Sequence, residues 1–183
     1  MYGVSRGGMM TFLEMKRNFP MNAAAVVGAV YDVSAFRERA PDVVDEAAKL
    51  IPHYSERGVS ALQDRSVMDW PESINVPLLM IHGADDDEVP PTEALAFAIK
   101  LSNLKKPYEL LIYAGDVHEA ARNRLDRDAR IAAWFSRYLR WAHPAASPVF
   151  NCRNAITTRD FPRSPVIGLP LVSFNLAETE SWR

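Results

Sequence analysis

Gly3-Val4-Ser5-Arg6-Gly7-Gly8 places a serine between glycines at the start of the chain, and the helix-like run Met9 to Phe19 follows at once. In a G-x-S-x-G arrangement the serine ends a strand and opens a helix on a strained turn that exposes its hydroxyl. Flanking glycines suit a turn too tight for side chains on either side of the serine. A serine hydroxyl is a weak nucleophile until a neighbouring base takes its proton. The motif therefore asks for a histidine, and for a carboxylate to orient it.

Two later segments supply those residue types. Val76-Pro77-Leu78-Leu79-Met80-Ile81-His82-Gly83 is a short apolar run of the kind buried on both faces of a parallel sheet. It leads into the acidic turn Ala84-Asp85-Asp86-Asp87-Glu88-Val89, after which Pro90-Pro91 start a helix. Tyr108-Glu109-Leu110-Leu111-Ile112-Tyr113 is a second strand-like run, and the turn Ala114-Gly115-Asp116-Val117 after it delivers His118. Serine, aspartate and histidine thus follow one another in chain order, each at the carboxyl end of an expected strand. Catalytic groups on open parallel sheets gather outside those ends.

The G-x-S-x-G-G elbow, the Ile74-Asn75-Val76-Pro77-Leu78-Leu79 strand running into His82-Gly83-x-x-Asp86-x-x-Val89, and Lys106-Pro107-Tyr108-Glu109 before the histidine turn together resemble the prolyl oligopeptidase family (serine peptidase family S9). The resemblance covers roughly residues 1 to 142 and points to the carboxyl-terminal part of the catalytic α/β-hydrolase domain. It implies an α/β fold: a partial α/β-hydrolase with a mostly parallel sheet, lacking its amino-terminal strands, and flanking helices. It also implies a serine hydrolase that cleaves peptides through an acyl-enzyme without a cofactor, with esters as an alternative substrate class. Position by position, Ser5 matches the nucleophile, Asp86 the acid and His118 the base. The backbone N–H of Arg6 is the expected first oxyanion donor. The family spacing from His82 selects Asp86 over Asp85 and Asp87, although this run is more acidic than the family pattern. A solvated acidic turn favoured by the following helix dipole accounts for the extra charge; a calcium-loop reading is only hinted at.

Other conspicuous residues have local explanations. His82 is expected to pack the turn at its strand end, and His53 and His143 to face solvent. Glu119 either pairs with His118 or points away. Arg6 is a substrate contact or a surface arginine, and Asn123 and Arg124 are candidate supports of the histidine turn. Trp70 and Phe36, in a mostly helical insertion over residues 31–72, are candidates for lining a pocket, with ordinary core as the competing role.

The elements that must position these groups can be read from the same pattern. Asn22 to Val30 is expected to be the strand after the elbow helix. Pro41-Asp42 start a helix with Val43, Val44, Ala47, Leu50 and Ile51 on one face, and Ser55 to Arg65 make another. Thr92 to Leu101 are helical. An amphipathic helix from about Asn123 to Trp141 closes the domain, turning Ile131, Trp134, Phe135 and Leu139 to the sheet. The domain boundary is expected near residue 142. The segment 143–183, with Pro144, Pro148, Pro162, Pro165 and Pro170, is read as a loosely packed or disordered tail.

Composition bounds the rest. A chain of 183 residues with 48% hydrophobic content supports one sizeable core. A formal net charge of -2 gives no nucleic-acid surface. No apolar run is long enough to span a bilayer, and the single cysteine, Cys152, leans towards the cytoplasm. Only Met1 and Tyr2 precede the elbow as a strand, so the domain is expected to be truncated, with its second oxyanion donor in the absent half. That leaves two further expectations: an inactive fragment or interaction module, and homo-oligomers formed through an exposed sheet edge.

Overall fold

The computed structural model describes residues 1–139. Trp141, His143, Cys152 and the expected tail 143–183 lie outside the described residues.

Four short strands, β1 (Tyr2–Val4), β2 (Ala24–Val27), β3 (Leu78–Gly83) and β4 (Tyr108–Tyr113), form one sheet in the order β1-β2-β3-β4. Every pairing is parallel, with Val4 opposite Val27, Val27 opposite Ile81 and Ile81 opposite Leu111. This register brings the carboxyl ends of the strands to one edge of the sheet. Parallel neighbours need crossovers, and helices supply them: α1 (Arg6–Lys16), α2 (Val33–Arg39), α3 (Pro41–Ala48), α4 (Tyr54–Arg57), α5 (Val59–Gln63) and α6 (Pro91–Asn103), with α7 (Arg124–Tyr138) after β4.

Alternation along the strands splits the core into two layers. Ala24, Val26, Leu78 and Met80 pack against Phe12 and Met15 of α1 and Phe97 and Leu101 of α6. Ala25, Val27, Leu79 and Ile81 pack on the opposite face against Trp134 of α7. Helices on both faces explain why β2 and β3 are buried at every position. Trp134 also donates its indole N–H to the Ala24 carbonyl at 2.9 Å. Trp134→Phe keeps most of the packing and strips that buried carbonyl of a donor. It is expected to cost about 1–2 kcal/mol, read as a lower urea midpoint with an unchanged slope.

The insertion between β2 and β3 is helical, as expected, but its details differ. The helix over Ser55 to Arg65 is two short helices broken at Gly58, whose φ is +52°. α3 buries Val44 and Ala48, whereas Val43 is 59% and Leu50 82% exposed. α3 ends at Ala48, so Leu50 is no longer on a continuing helical face. Leu139 likewise falls past the end of α7 and is 41% exposed. Trp70 is core, buried among the residues of the α1/α6 layer with the Lys16 ammonium 4.7 Å over its ring. Phe36 packs beside Val30, Val33 and Val44. The concavity on the insertion is lined by Arg37, Asp45, Lys49, Pro52 and Tyr54 among others, and by neither of those aromatics. Glu93 of α6 ties the insertion down: it accepts from the backbone N–H groups of Tyr31 and Asp32 and pairs with Arg39 at 2.5 Å. Among the described residues no helix is long and apolar enough to cross a membrane.

Candidate active site

Ser5 lies between β1 and α1 with φ 51° and ψ -120°, a conformation that a side chain rarely adopts and that costs of order 1–3 kcal/mol. Hydrogen bonds hold it there. Its N–H donates to Val27 O at 2.8 Å, and its carbonyl accepts from Gly8 N at 2.9 Å and Met9 N at 3.3 Å. Gly3 is essential to this turn, because a Cβ there would lie 2.2 Å from Gly7 O. Gly8 is equally confined, with a Cβ 2.4 Å from Ala29 Cβ. Gly7 is not: a Cβ on it would meet nothing within 4 Å. The expected crowding is therefore on Gly3 and Gly8 rather than on both immediate flanks. The Arg6 side chain is exposed, and its N–H, first in α1, is one of the helix-end groups without an intrahelical acceptor.

The turn after β3 separates its three aspartates. Asp85 and Asp87 are exposed, whereas Asp86 is buried. Its Oδ1 accepts from Glu88 N at 3.0 Å and Val89 N at 2.9 Å. Its Oδ2 lies 2.8 Å from His118 Nδ1 and 3.1 Å from His82 Nε2. Sequence reasoning missed this second histidine, though the four-residue spacing from His82 to Asp86 was the available signal.

His118 follows β4 on a loop that crosses the end of β3 so closely that a Cβ on Gly83 would be 2.2 Å from Val117 O. Glu119 and Ala120 both have positive φ, at 64° and 51°. Glu119 is exposed, and its carbonyl accepts from Arg127 at 2.7 Å. The carboxylate near the outer nitrogen of His118 is instead Glu88, 3.7 Å from Nε2. The imidazole lies against Gly28, where an added Cβ would be 3.2 Å from Cε1. Ser5 and His118 thus meet the same end of β2, one through Val27 O and the other over Gly28. Asp86 and His118 are bonded directly. Among the described residues no hydrogen bond links the Ser5 hydroxyl to His118; such bonds commonly tighten only when substrate arrives.

Asp116 organises the histidine loop. It is fully buried and accepts from Val117 N, Arg122 N, Asn123 N and the Asn123 amide, all at 2.8–3.0 Å. Asn123 therefore supports the loop through Asp116, while Arg124 is exposed. Burial opposes charge on Asp116, but the Asn123 amide and the three backbone donors outweigh it and hold its carboxyl below the ordinary carboxylate value. A depressed folded value stabilises the protein above the unfolded value, near 4, and is lost as pH falls through the folded one. Asp116→Asn is expected to cost about 1–3 kcal/mol at pH 7. The gap to the parent should narrow below about pH 4, which urea melts at several pH values will show.

Comparison with known proteins gives a consistent picture. A family model described as the prolyl oligopeptidase family matches residues 1–141. The uncharacterized peptidase YuxL of Bacillus subtilis (strain 168) is 30% identical over 83 residues, covering 43% of this chain and 13% of that protein. A puromycin-hydrolyzing peptidase of Mycobacterium tuberculosis superposes with a TM-score of 0.62 at 25% identity, over 75% of this chain and 21% of that one. The acylaminoacyl peptidase of Pyrococcus horikoshii superposes with a TM-score of 0.63 over 82% of this chain and 24% of that one; at 19% identity this is a likeness of fold. The chain thus spans under a quarter of the length of these relatives.

Proposed function

This chain belongs to the prolyl oligopeptidase family, and from that premise we propose that Ser5, His118 and Asp86 are the nucleophile, base and acid of a serine hydrolase that cleaves peptide bonds. The observation that carries the reading is the Asp86–His118 hydrogen bond of 2.8 Å, formed at the strand ends where Ser5 occupies its strained turn.

In this mechanism the Ser5 hydroxyl oxygen bonds to the scissile carbonyl carbon while His118 Nε2 takes its proton. Asp86 accepts from His118 Nδ1 and balances the imidazolium without itself being protonated. The carbonyl oxygen becomes an oxyanion facing the Arg6 N–H. A preorganised donor at that point counts most, because charge develops there only in the transition state. The carbon–nitrogen bond then breaks, and the proton on Nε2 passes to the departing amine, leaving an acyl ester on Ser5. Water attacks the ester by the same route, with His118 again taking and returning the proton. Peptides are the substrate class that family membership favours.

A fluorophosphonate reagent tests the assignment, since it bonds irreversibly only to an activated serine oxygen. Labelling of the folded chain followed by peptide mapping should give one adduct, on the peptide that contains Ser5. An adduct on another serine, or none in a folded sample, would overturn the reading.

A further inference from the structure

His82 is wholly buried near the end of β3 and has no part in the proton transfers above. Its Nε2 lies 2.8 Å from the Val89 carbonyl oxygen and 3.1 Å from Asp86 Oδ2. A carbonyl oxygen only accepts, so Nε2 must carry the hydrogen. That N–H is directed at the Val89 carbonyl, and the Asp86 oxygen that also holds His118 lies beside it at 3.1 Å as a close polar contact. Asp86 itself accepts from Glu88 N and Val89 N on Oδ1 and from His118 Nδ1 on Oδ2.

The groups around Asp86 differ in rigidity. Glu88 N and Val89 N belong to the same turn as Asp86 and can move with it. His82 is anchored in a strand paired on both sides, opposite Ile112 of β4 and next to Ile81, which pairs with Val27 of β2. Its ring packs within 6.3 Å of the Tyr31 ring, itself locked against Phe12 and Phe97. His82 thus ties the turn that carries Asp86 to the sheet, through the Val89 carbonyl.

We propose that His82 is a positioning residue for the Asp86–His118 pair, its Nε2–H pinning the Val89 carbonyl and with it the turn that aims Asp86 Oδ2 at His118 Nδ1. The inference rests on the proposed function for its kinetic consequence, though not for the geometry. A loss of direction of this kind is expected to lower kcat about 10- to 100-fold with little change in KM.

Two substitutions separate donation from packing. His82→Gln places an amide nitrogen near the position of Nε2 but gives up the ring. His82→Phe keeps a ring against Tyr31 and gives up the donor. Donation predicts that Gln retains at least about tenfold more kcat than Phe, even if Phe melts at the higher temperature. It also predicts that the low-field NMR proton between His118 Nδ1 and Asp86 persists in Gln and is broadened in Phe. Equal or greater kcat in Phe, with the low-field proton unchanged in both, would overturn it. A parent chain without turnover, but with a low-field proton lost only in Phe, would fail the functional reading and still support the positioning.

Discussion

Exchange of Asp86 for asparagine is expected to lower kcat about 10³- to 10⁴-fold in a protein that remains folded. Of the two carboxylate oxygens, Oδ1 accepts from Glu88 N and Val89 N and Oδ2 from His118 Nδ1. An asparagine has one oxygen and one NH₂ group, so the donors on one side must face another donor. The backbone pair, Glu88 N and Val89 N, has no alternative tautomer. The amide oxygen is expected to turn to them, presenting NH₂ to His118. The imidazole then avoids a donor–donor clash by moving its hydrogen from Nδ1 to Nε2. In that tautomer Nε2 cannot take the Ser5 proton. Steady-state turnover of a peptide amide, with a thermal melt to verify folding, measures the effect. A variant that keeps more than about a tenth of the parent kcat would show that Asp86 does not set the tautomer.

The tautomer of His118 depends on atoms no sequence prints, and it marks how far the sequence could be read. The strand ends were legible to within about two residues, because a strand buried on both faces is a continuous apolar run. Leu78 to Ile81 is such a run, and β3 continues past it, with His82 and Gly83 still paired to Ile112 and Tyr113 of β4. The strand before α2 was harder to bound, because small residues surround it: Asn22 to Val30 contains only four strand residues, Ala24–Val27. The insertion was legible as helical but not in its breaks. Leu50 shares the expected face only if the helix continues to it, and α3 stops at Ala48; Val43 is inside α3 but one residue, about 100° of helical turn, off the stripe that buries Val44 and Ala48. Side-chain chemistry was read least well where a residue serves two purposes. A histidine at a strand end fits turn packing, and nothing in the spelling of His82 shows that its Nε2 holds the Val89 carbonyl at 2.8 Å with Asp86 Oδ2 beside it at 3.1 Å. Asp116 was passed over for the same reason, since its four acceptor contacts exist only once the loop has closed around it.

The positive-φ residues of the site are also a tertiary outcome. Ser5, Gly28, Glu119 and Ala120 all lie near the carboxyl ends of the strands and all have φ above 50°. Strain of this kind persists only where the surroundings over-determine it. Ser5 is held by Val27 O, Gly28 by Ile81 O, and Ala120 by Val117 O. Each of these anchors is either a sheet residue or part of the loop that Asp116 closes. Weakening the sheet near β2 should therefore misplace Ser5 and His118 together, since both bear on its last turn of chain.

Gly3→Ala is expected to cost about 3 kcal/mol or more in stability, whereas Gly7→Ala is expected to be neutral or to stabilise by up to about 1 kcal/mol. The two positions look equivalent in the G-x-S-x-G pattern, and geometry separates them. A Cβ on Gly3 would lie 2.2 Å from Gly7 O and 2.5 Å from Thr11 Oγ1. The oxygen it meets is backbone, held in α1 and accepting from the Thr11 hydroxyl at 3.0 Å, so no rotamer change relieves the contact. Relief requires α1 to move away from β1, which would unseat Phe12 and Met15 from the core layer they share with Val26 and Met80. Ser5 lies between the two elements and would move with them, so turnover should fall alongside stability. At Gly7 the added methyl meets nothing within 4 Å, and alanine simply favours the helix. Urea unfolding of the two variants reads the difference directly. Equal midpoints would mean that α1 can shift without cost, and the turn at Ser5 would then be held by its hydrogen bonds to Val27, Gly8 and Met9 rather than by close packing of the helix on the strand.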